Sequence, residues 1–370
     1  MTAGALAVLA GVATLGPARL RLLLTHHTPD DAVERLRNGR ALHPMFVRGL
    51  DRERLEAVRR RVRDACPAEA ADACDRLGVD VVALGDAEYP SALVHDPEAP
   101  VALFTRGDLS VLAERRVGIV GTRHASAAGR ATASDLGAAL AAESVAVISG
   151  LARGIDAAAH RGVRGTGGPG RAIAVVGCGP DVHYPKPNAD LWEWVATEGL
   201  LISEWPPGVR PDAWRFPQRN RILAALSEIV VVVESRERGG SLITARAAAD
   251  RGIDVMAVPG SPRSRASLGT NQLLVDGVAP VTSADDVLAA LGLDHRRQGT
   301  LPIDHRSPPD EQQQLILGAC AEQPSNLDMI VATTGLSVTD AALGAARLER
   351  SGWLAEAGGW FEPVGSRLCG

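Results

Sequence analysis

Val117-Gly118-Ile119-Val120-Gly121-Thr122-Arg123 opens the stretch that decides the fold, and Val145-Ala146-Val147-Ile148-Ser149-Gly150-Leu151-Ala152-Arg153-Gly154-Ile155-Asp156 repeats its plan. Each begins with an apolar run too short for a helix and uninterrupted by polar residues, as in a strand buried on both faces of a parallel sheet. Each then breaks into a turn holding a glycine, a hydroxyl and an arginine, and each turn feeds a helical run, 127–142 after the first and 157–163 after the second. The first turn of a helix leaves N–H groups unpaired, glycine lets a ligand approach them, and arginine adds a planar fork that matches phosphate oxygens. Aligned peptide dipoles favour an anion by only about 0.3 to 1 kcal/mol at an exposed terminus, so several such turns must act together. Either turn alone is equally a tight bend beside a solvated arginine; the pair, on sequential strands, reads as an anion site. Neither has the G-x-G-x-x-G spacing of a dinucleotide fold nor the G-x-x-x-x-G-K-[ST] of a P-loop, which disfavours ordinary NAD or ATP chemistry.

Outward from this stretch the alternation continues. Segments 172–176 and 200–203 read as strands, separated by Gly177-Cys178-Gly179-Pro180 and a loop through Tyr184-Pro185-Lys186-Pro187-Asn188 too rich in proline to be helical. Phe216-Pro217-Gln218-Arg219-Asn220-Arg221 leads into a helix ending near Leu226. The run 229–234 is the most strand-like of all and opens into Gly239-Gly240-Ser241, where Ser241 is expected to cap a helix over 242–250. A strand at 254–258 follows, then Pro259-Gly260, a loop with Arg263 and Arg265, and Gly269-Thr270-Asn271 ahead of a further helix. Strand and helix in alternation imply an α/β fold, a parallel sheet with helices on both faces, whose turns gather in one groove off the carboxyl ends of the strands.

The chain's 370 residues suffice for two or three domains, and 46% hydrophobic with 3% aromatic residues suits a core packed from Ala, Val and Leu. Residues 1–78 read as a helical module, with Gly16-Pro17 before an arginine-bearing helix and Thr28 as a cap; segment 3–15 reads as a core helix, not a secretion signal. The sheet domain is assigned to 79–294, a polar linker to 295–310, and 311–370 to three helices and a hairpin, a winged-helix plan. Up to Cys66 there are twelve arginines against seven acids, whereas from Pro309 onward three arginines face eight acids, so the two ends serve different electrostatic purposes. The last module, with only Arg347 and Arg350 on its third helix, is expected to meet protein sooner than DNA. Lys186 is the only lysine. Five cysteines (Cys66, Cys74, Cys178, Cys320, Cys369) without C-x-x-C spacing suggest neither a zinc site nor a disulfide frame, and a reducing cytoplasm fits; no run approaches a membrane span.

These motifs in this order resemble the DNA-processing protein A family, also called Smf: the two turns already quoted with His160, Tyr184-Pro185-Lys186-Pro187-Asn188, Phe216-Pro217-Gln218-Arg219-Asn220-Arg221, Gly240-Ser241-Leu242-Ile243-Thr244-Ala245, and Pro259-Gly260 with Gly269-Thr270-Asn271. The resemblance spans most of the chain. It implies an extended Rossmann-like sheet flanked by a helical sterile-alpha-motif-like (SAM-like) module and a winged helix, in a homodimer that coats incoming single-stranded DNA, shields it and helps load a RecA-type recombinase in natural transformation. Carried over by motif, Arg123 and Lys186 become the main phosphate contacts, and Gly121, Thr122, Ser149, Gly150, Arg153, Asn188, Arg219, Asn220, Arg221 and Ser241 complete the DNA-binding set. Two departures are visible: Ala225 where relatives usually carry glycine, and Gly239 where they usually carry serine.

No cofactor, metal or catalytic residue is expected. Asp156 and His160 share a helix face and are read as a hydrogen-bonded pair holding the turn after Gly150, not as an acid–base couple. The enzymatic alternative is a nucleotide phosphoribohydrolase, but here Pro259-Gly260 and Gly269-Thr270 are far apart and Asn271-Gln272 stands where such an enzyme needs its glutamate. Tyr184, Trp214 and Phe216 are the candidates for stacking against bases.

Overall fold

A computed structural model describes residues 2–293, 308–321 and 323–363. The chain divides into two compact units, Met1–Asp294 and His295–Gly370. The expected linker at 295–310 lies outside the described residues except for its last three positions.

The first unit is built on a nine-stranded sheet: β1 (Asp80–Ala83), β2 (Ala102–Gly107), β3 (Arg115–Val120), β4 (Val145–Ser149), β5 (Ala172–Val176), β6 (Leu200–Ser203), β7 (Ile229–Val232), β8 (Asp254–Ala257) and β9 (Ala279–Pro280). Their spatial order is β1-β2-β6-β5-β4-β3-β7-β8-β9. From β6 to β9 all pairings are parallel, and β4, β5, β6 and β7 are buried at every position, which explains their unbroken apolar sequences. The sheet is not parallel throughout, as the sequence suggested: β1 and β2 run antiparallel and cap the β6 edge. Nothing in the hydropathy of so short an edge strand reveals its direction, because direction is set by the connection and not by the side chains.

Helices cover both faces and divide the core into two layers. One layer gathers Ile119, Leu136, Leu140, Val147, Ile155 and Trp192, and the other Ile148, Val175, Ile202, Ile222, Leu223 and Val230. A helix over Ala189–Glu198 joins β5 to β6; the sequence reading placed no helix there because the proline-rich loop before it masks the boundary. Winding begins at β3, proceeds through β4 and β5 to β6, and then returns to the opposite side of β3 as β7. At this reversal the loops after β3 and β7 diverge and leave a crevice, the place where open sheets take ligands.

The amino-terminal helices, including Thr2–Ala10, Gly16–Leu24, Pro29–Arg37 and Arg52–Asp64, enclose a core of Leu9, Leu23, Leu36, Phe46, Val58 and Val62. Thr28 caps its helix by accepting the Asp31 amide at 3.3 Å, as its position predicts. Leu6, Ala7 and Cys74 pack with Ala102 and Phe104 of β2, so the helical segment shares a core with the sheet edge.

The second unit contains helices Glu311–Ala321, Leu327–Thr334 and Val338–Arg350 and a three-stranded sheet of β10 (Ser325–Asn326), β11 (Leu354–Ala357) and β12 (Trp360–Pro363). Ile316, Ile330, Ala345, Leu348 and Leu354 form its separate core. Among the described residues no single helix is long and apolar enough to cross a membrane; the bent pair Leu327–Thr334 and Val338–Arg350 meets the test together by length and composition only.

Candidate nucleic-acid interface

The crevice at the carboxyl ends of the strands has two lobes meeting over Phe216. One encloses about 560 Å³ and is walled by the loop after β3 (Gly121, Thr122, Arg123), the helix Arg215–Leu226 (Asn220) and the loop after β7 (Arg236, Arg238, Ser241). The other encloses about 730 Å³ and is walled by Arg123, Gly150, Arg153, Lys186, Phe216 and Arg219. Four cations and no acid line this second lobe, a composition that draws a polyanion and holds nothing to repel it. Arg123 crosses between the lobes with its guanidinium 4.8 Å from the Phe216 ring centroid, which fixes a long exposed side chain by a cation–π contact. Tyr184, also exposed, lies 5.6 Å from the same ring.

Two glycines of the motifs act differently from the sequence reading, which had them admit a phosphate. A Cβ on Gly121 would lie 2.4 Å from Ile155, and one on Gly150 would lie 2.0 Å from the Arg219 guanidinium. They make room for protein atoms: Gly121 for the helix after β4, and Gly150 for an arginine laid beneath the groove. Directly after Gly150, Leu151 holds a left-handed φ of 52° that a bulky residue adopts at a cost, offset here because its side chain is fully buried.

Arg219 is 4% exposed and donates to the Val175 carbonyl, and its Nε has no partner among the described residues. Burial lowers its pKa while the neighbouring Asp156 opposes that shift. Asp156 is buried in turn, and desolvation raises its pKa against the pull of Arg219 and Arg123. The expected Asp156–His160 hydrogen bond is not what the geometry shows. His160 turns to the sheet, with Nε2 3.2 Å from the Ile173 carbonyl oxygen, and burial depresses its pKa to about 4, so it is a neutral core residue.

The remaining expected residues separate into two groups. Thr122, Arg123, Arg153, Lys186 and Asn220 reach the groove, with Arg123, Arg153 and Lys186 exposed. Asn220 is oriented by a 3.4 Å hydrogen bond from Nδ2 to the Gly240 carbonyl. Three others are structural, correcting the sequence reading. Ser149 is fully buried and donates to the Ile119 carbonyl at 2.6 Å, linking the ends of β4 and β3. Asn188 is 3% exposed; it donates to the Leu151 carbonyl at 2.9 Å and accepts from Arg161, bracing the turn after β4 from behind. Arg221 points to the other side of its helix, where Nη2 meets both oxygens of Glu204 at 2.6 and 2.7 Å in a buried ion pair. On a helix, residues 219, 220 and 221 are each turned by about 100°, so a run of three polar residues cannot share one face.

Ser241 lines the groove but is not the helix cap. The helix starts at Gly240, its N-cap Gly239 makes no side-chain bond, and Ser241 Oγ donates to Ser235 Oγ at 2.9 Å. Gly269, Thr270 and Asn271 likewise lie inside the helix Leu268–Val275 instead of before it. The sequence reading also missed Arg236 and Arg238, exposed residues of the first lobe; their position after the most strand-like run was the available signal. It missed Glu234 as the clamp of the crevice, whose carboxylate accepts from the Ser126 amide at 2.9 Å and the Ser126 hydroxyl at 2.6 Å. Among the described residues no cluster of side chains suited to a metal ion occurs.

Comparison with known proteins shows what the chain is similar to. The family model for DNA recombination-mediator protein A matches residues 80–292. Protein Smf of Synechocystis is 31% identical over 377 residues, covering 92% of this chain and 94% of the relative. The X-ray structure of DNA processing protein A from Streptococcus pneumoniae superposes with a TM-score of 0.66 at 32% identity, covering 78% of this chain and 98% of that one. The Helicobacter pylori DNA processing protein A, whose structure is described for its single-stranded DNA binding mode, superposes with a TM-score of 0.52 at 26% identity over 58% of this chain and 97% of its own.

Proposed function

This chain belongs to the DNA recombination-mediator protein A family, and on that premise we propose that it binds single-stranded DNA without sequence preference, shields it, and delivers it to a RecA-type recombinase as a homodimer. The observation that supports the reading best is the lobe formed by Arg123, Arg153, Lys186 and Arg219, in which no acid opposes a strand of phosphates. Three exposed cations at the rim and one buried cation beneath fit a backbone that passes along the groove, while the Tyr184 and Phe216 rings offer faces on which any base stacks. The protein acts by holding the strand, with no chemical step. The second unit, whose third helix sets Arg347 and Arg350 against Asp340 and Glu349, serves as a winged-helix protein contact.

A gel-shift comparison of single- and double-stranded oligonucleotides tests the proposal directly. Single strands are expected to bind more tightly, with log affinity falling against log salt by about 0.7 per neutralised phosphate. Equal binding of both forms, or affinity indifferent to salt, overturns it. Release of free base from nucleoside monophosphates would instead support the phosphoribohydrolase alternative.

A further inference from the structure

Two neighbouring loops outside the family motifs carry four arginines, two of which wall the groove. Arg236 and Arg238 follow β7, and Arg263 and Arg265 lie in the loop after β8. All four are exposed, and none makes a side-chain hydrogen bond or ion pair with another described residue. The loops are held side by side: the Gly269 amide donates to the Ser235 carbonyl at 2.7 Å, and a Cβ on Gly269 would lie 2.5 Å from the Arg236 carbonyl oxygen. Asn271 closes the base of the second loop, with Nδ2 donating to the Gly260 carbonyl at 2.9 Å and Oδ1 accepting the Gly260 amide at 3.1 Å. Over 235–249 the only acid is Glu237, and over 259–275 there is none.

Four exposed arginines against the one acid Glu237, in a chain of net charge −5, are not an average property of its composition. They are continuous with the nucleic-acid groove, because Arg236 and Arg238 already wall the first lobe. We propose that the bound single strand does not end at the motif-lined lobes but continues across Arg236 and Arg238 onto Arg263 and Arg265, which take its further phosphates. This rests on the single-strand reading of the groove and lengthens the site it assigns. Contact there is to the backbone alone, since arginine offers a phosphate two parallel hydrogen bonds and no aromatic side chain lies in either loop.

The test measures binding of the full chain to oligothymidylates of about 6 and about 20 nucleotides, lengths that bracket the range of about 4 to 16 covered by one single-strand module. The variants are Arg263→Gln/Arg265→Gln, both at exposed positions outside the two lobes and referred to as the rim variant, and Arg123→Ala as the control on the groove. The rim variant is expected to bind the short strand like the parent and the long strand at least about tenfold more weakly, with a salt slope shallower by about 0.7 for each lost phosphate. Parent-like affinity and slope for the long strand overturn the rim while leaving the groove reading intact. If Arg123→Ala binds both lengths like the parent while the rim variant binds neither, the groove reading fails and the rim stands alone as the site. A parent that binds neither length removes both.

Discussion

Arg123 and Lys186 both line one lobe and both are exposed, and neither is tied up in an ion pair with an acid among the described residues. Replacing either by alanine is expected to weaken single-strand binding by about ten- to a hundredfold, the value of a charged hydrogen bond, with an unchanged circular dichroism spectrum; a lost spectrum would move the residue into the core. Ser149 and Asn188 predict the reverse, a loss of stability before any specific loss of affinity, because their hydrogen bonds tie strand ends and turns together. His160 gives a pH signature. Its folded pKa of about 4 lies below the value near 6.5 of the unfolded chain, so between these pH values the unfolded state holds a proton that the folded state lacks. The contribution is complete above pH 6.5 and falls as pH drops toward 4, by on the order of 3 kcal/mol in all. Asp156 and Glu204, raised by burial, act with the opposite sign, their contribution being lost as pH rises through their folded values. The clean measurement is therefore the difference in unfolding free energy against pH between the parent and His160→Gln, and equal slopes would contradict the burial.

At the scale of the element, the helix Arg215–Leu226 has two polar sides with different tasks. Asn220 and Phe216 face the crevice, while Arg221 is locked to Glu204 at 8% and 6% side-chain exposure. Removing one partner leaves an uncompensated charge in the core, so Arg221→Met is expected to cost about 3 to 5 kcal/mol in denaturant unfolding. The double variant Glu204→Leu/Arg221→Met should recover most of that stability and bind single-stranded DNA like the parent. Persistent loss of binding in a stably folded double variant would make Arg221 a contact after all. Glu234 does comparable work at the mouth of the crevice, holding the loop after β7 to the start of the helix Ala127–Ala142 through Ser126. Its letter stands at the end of an apolar run with no sign that a serine over a hundred positions earlier is its partner.

At the scale of the whole molecule, the groove and the arginine rim lie within the Met1–Asp294 unit, and the His295–Gly370 unit has a core of its own. A chain ended after Asp294 is expected to retain the parent's affinity for single strands, measured by fluorescence anisotropy, and a large loss would give the second unit a part in DNA binding. The charge asymmetry of the sequence points the same way, since from Pro309 onward only three arginines face eight acids, whereas the acid-free lobe lies far earlier in the chain.

The sequence by itself determined the central strands and most of the helices between them, because burial on both faces demands unbroken apolar runs and helix starts demand particular turns. It also determined that glycine- and arginine-bearing turns gather at the carboxyl ends of the strands, since parallel connections leave them no other edge. Only the tertiary structure decided which member of each motif faces the groove and which is buried behind it. Whether Arg219, Asn220 or Arg221 faces the crevice, and whether Gly150 admits a phosphate or a guanidinium, depends on what a distant segment packs against that helix or turn. Such contacts between residues remote in sequence leave no local pattern, and so Arg221, Ser149 and Asn188 were read as contacts while Arg236 and Arg238 were passed over.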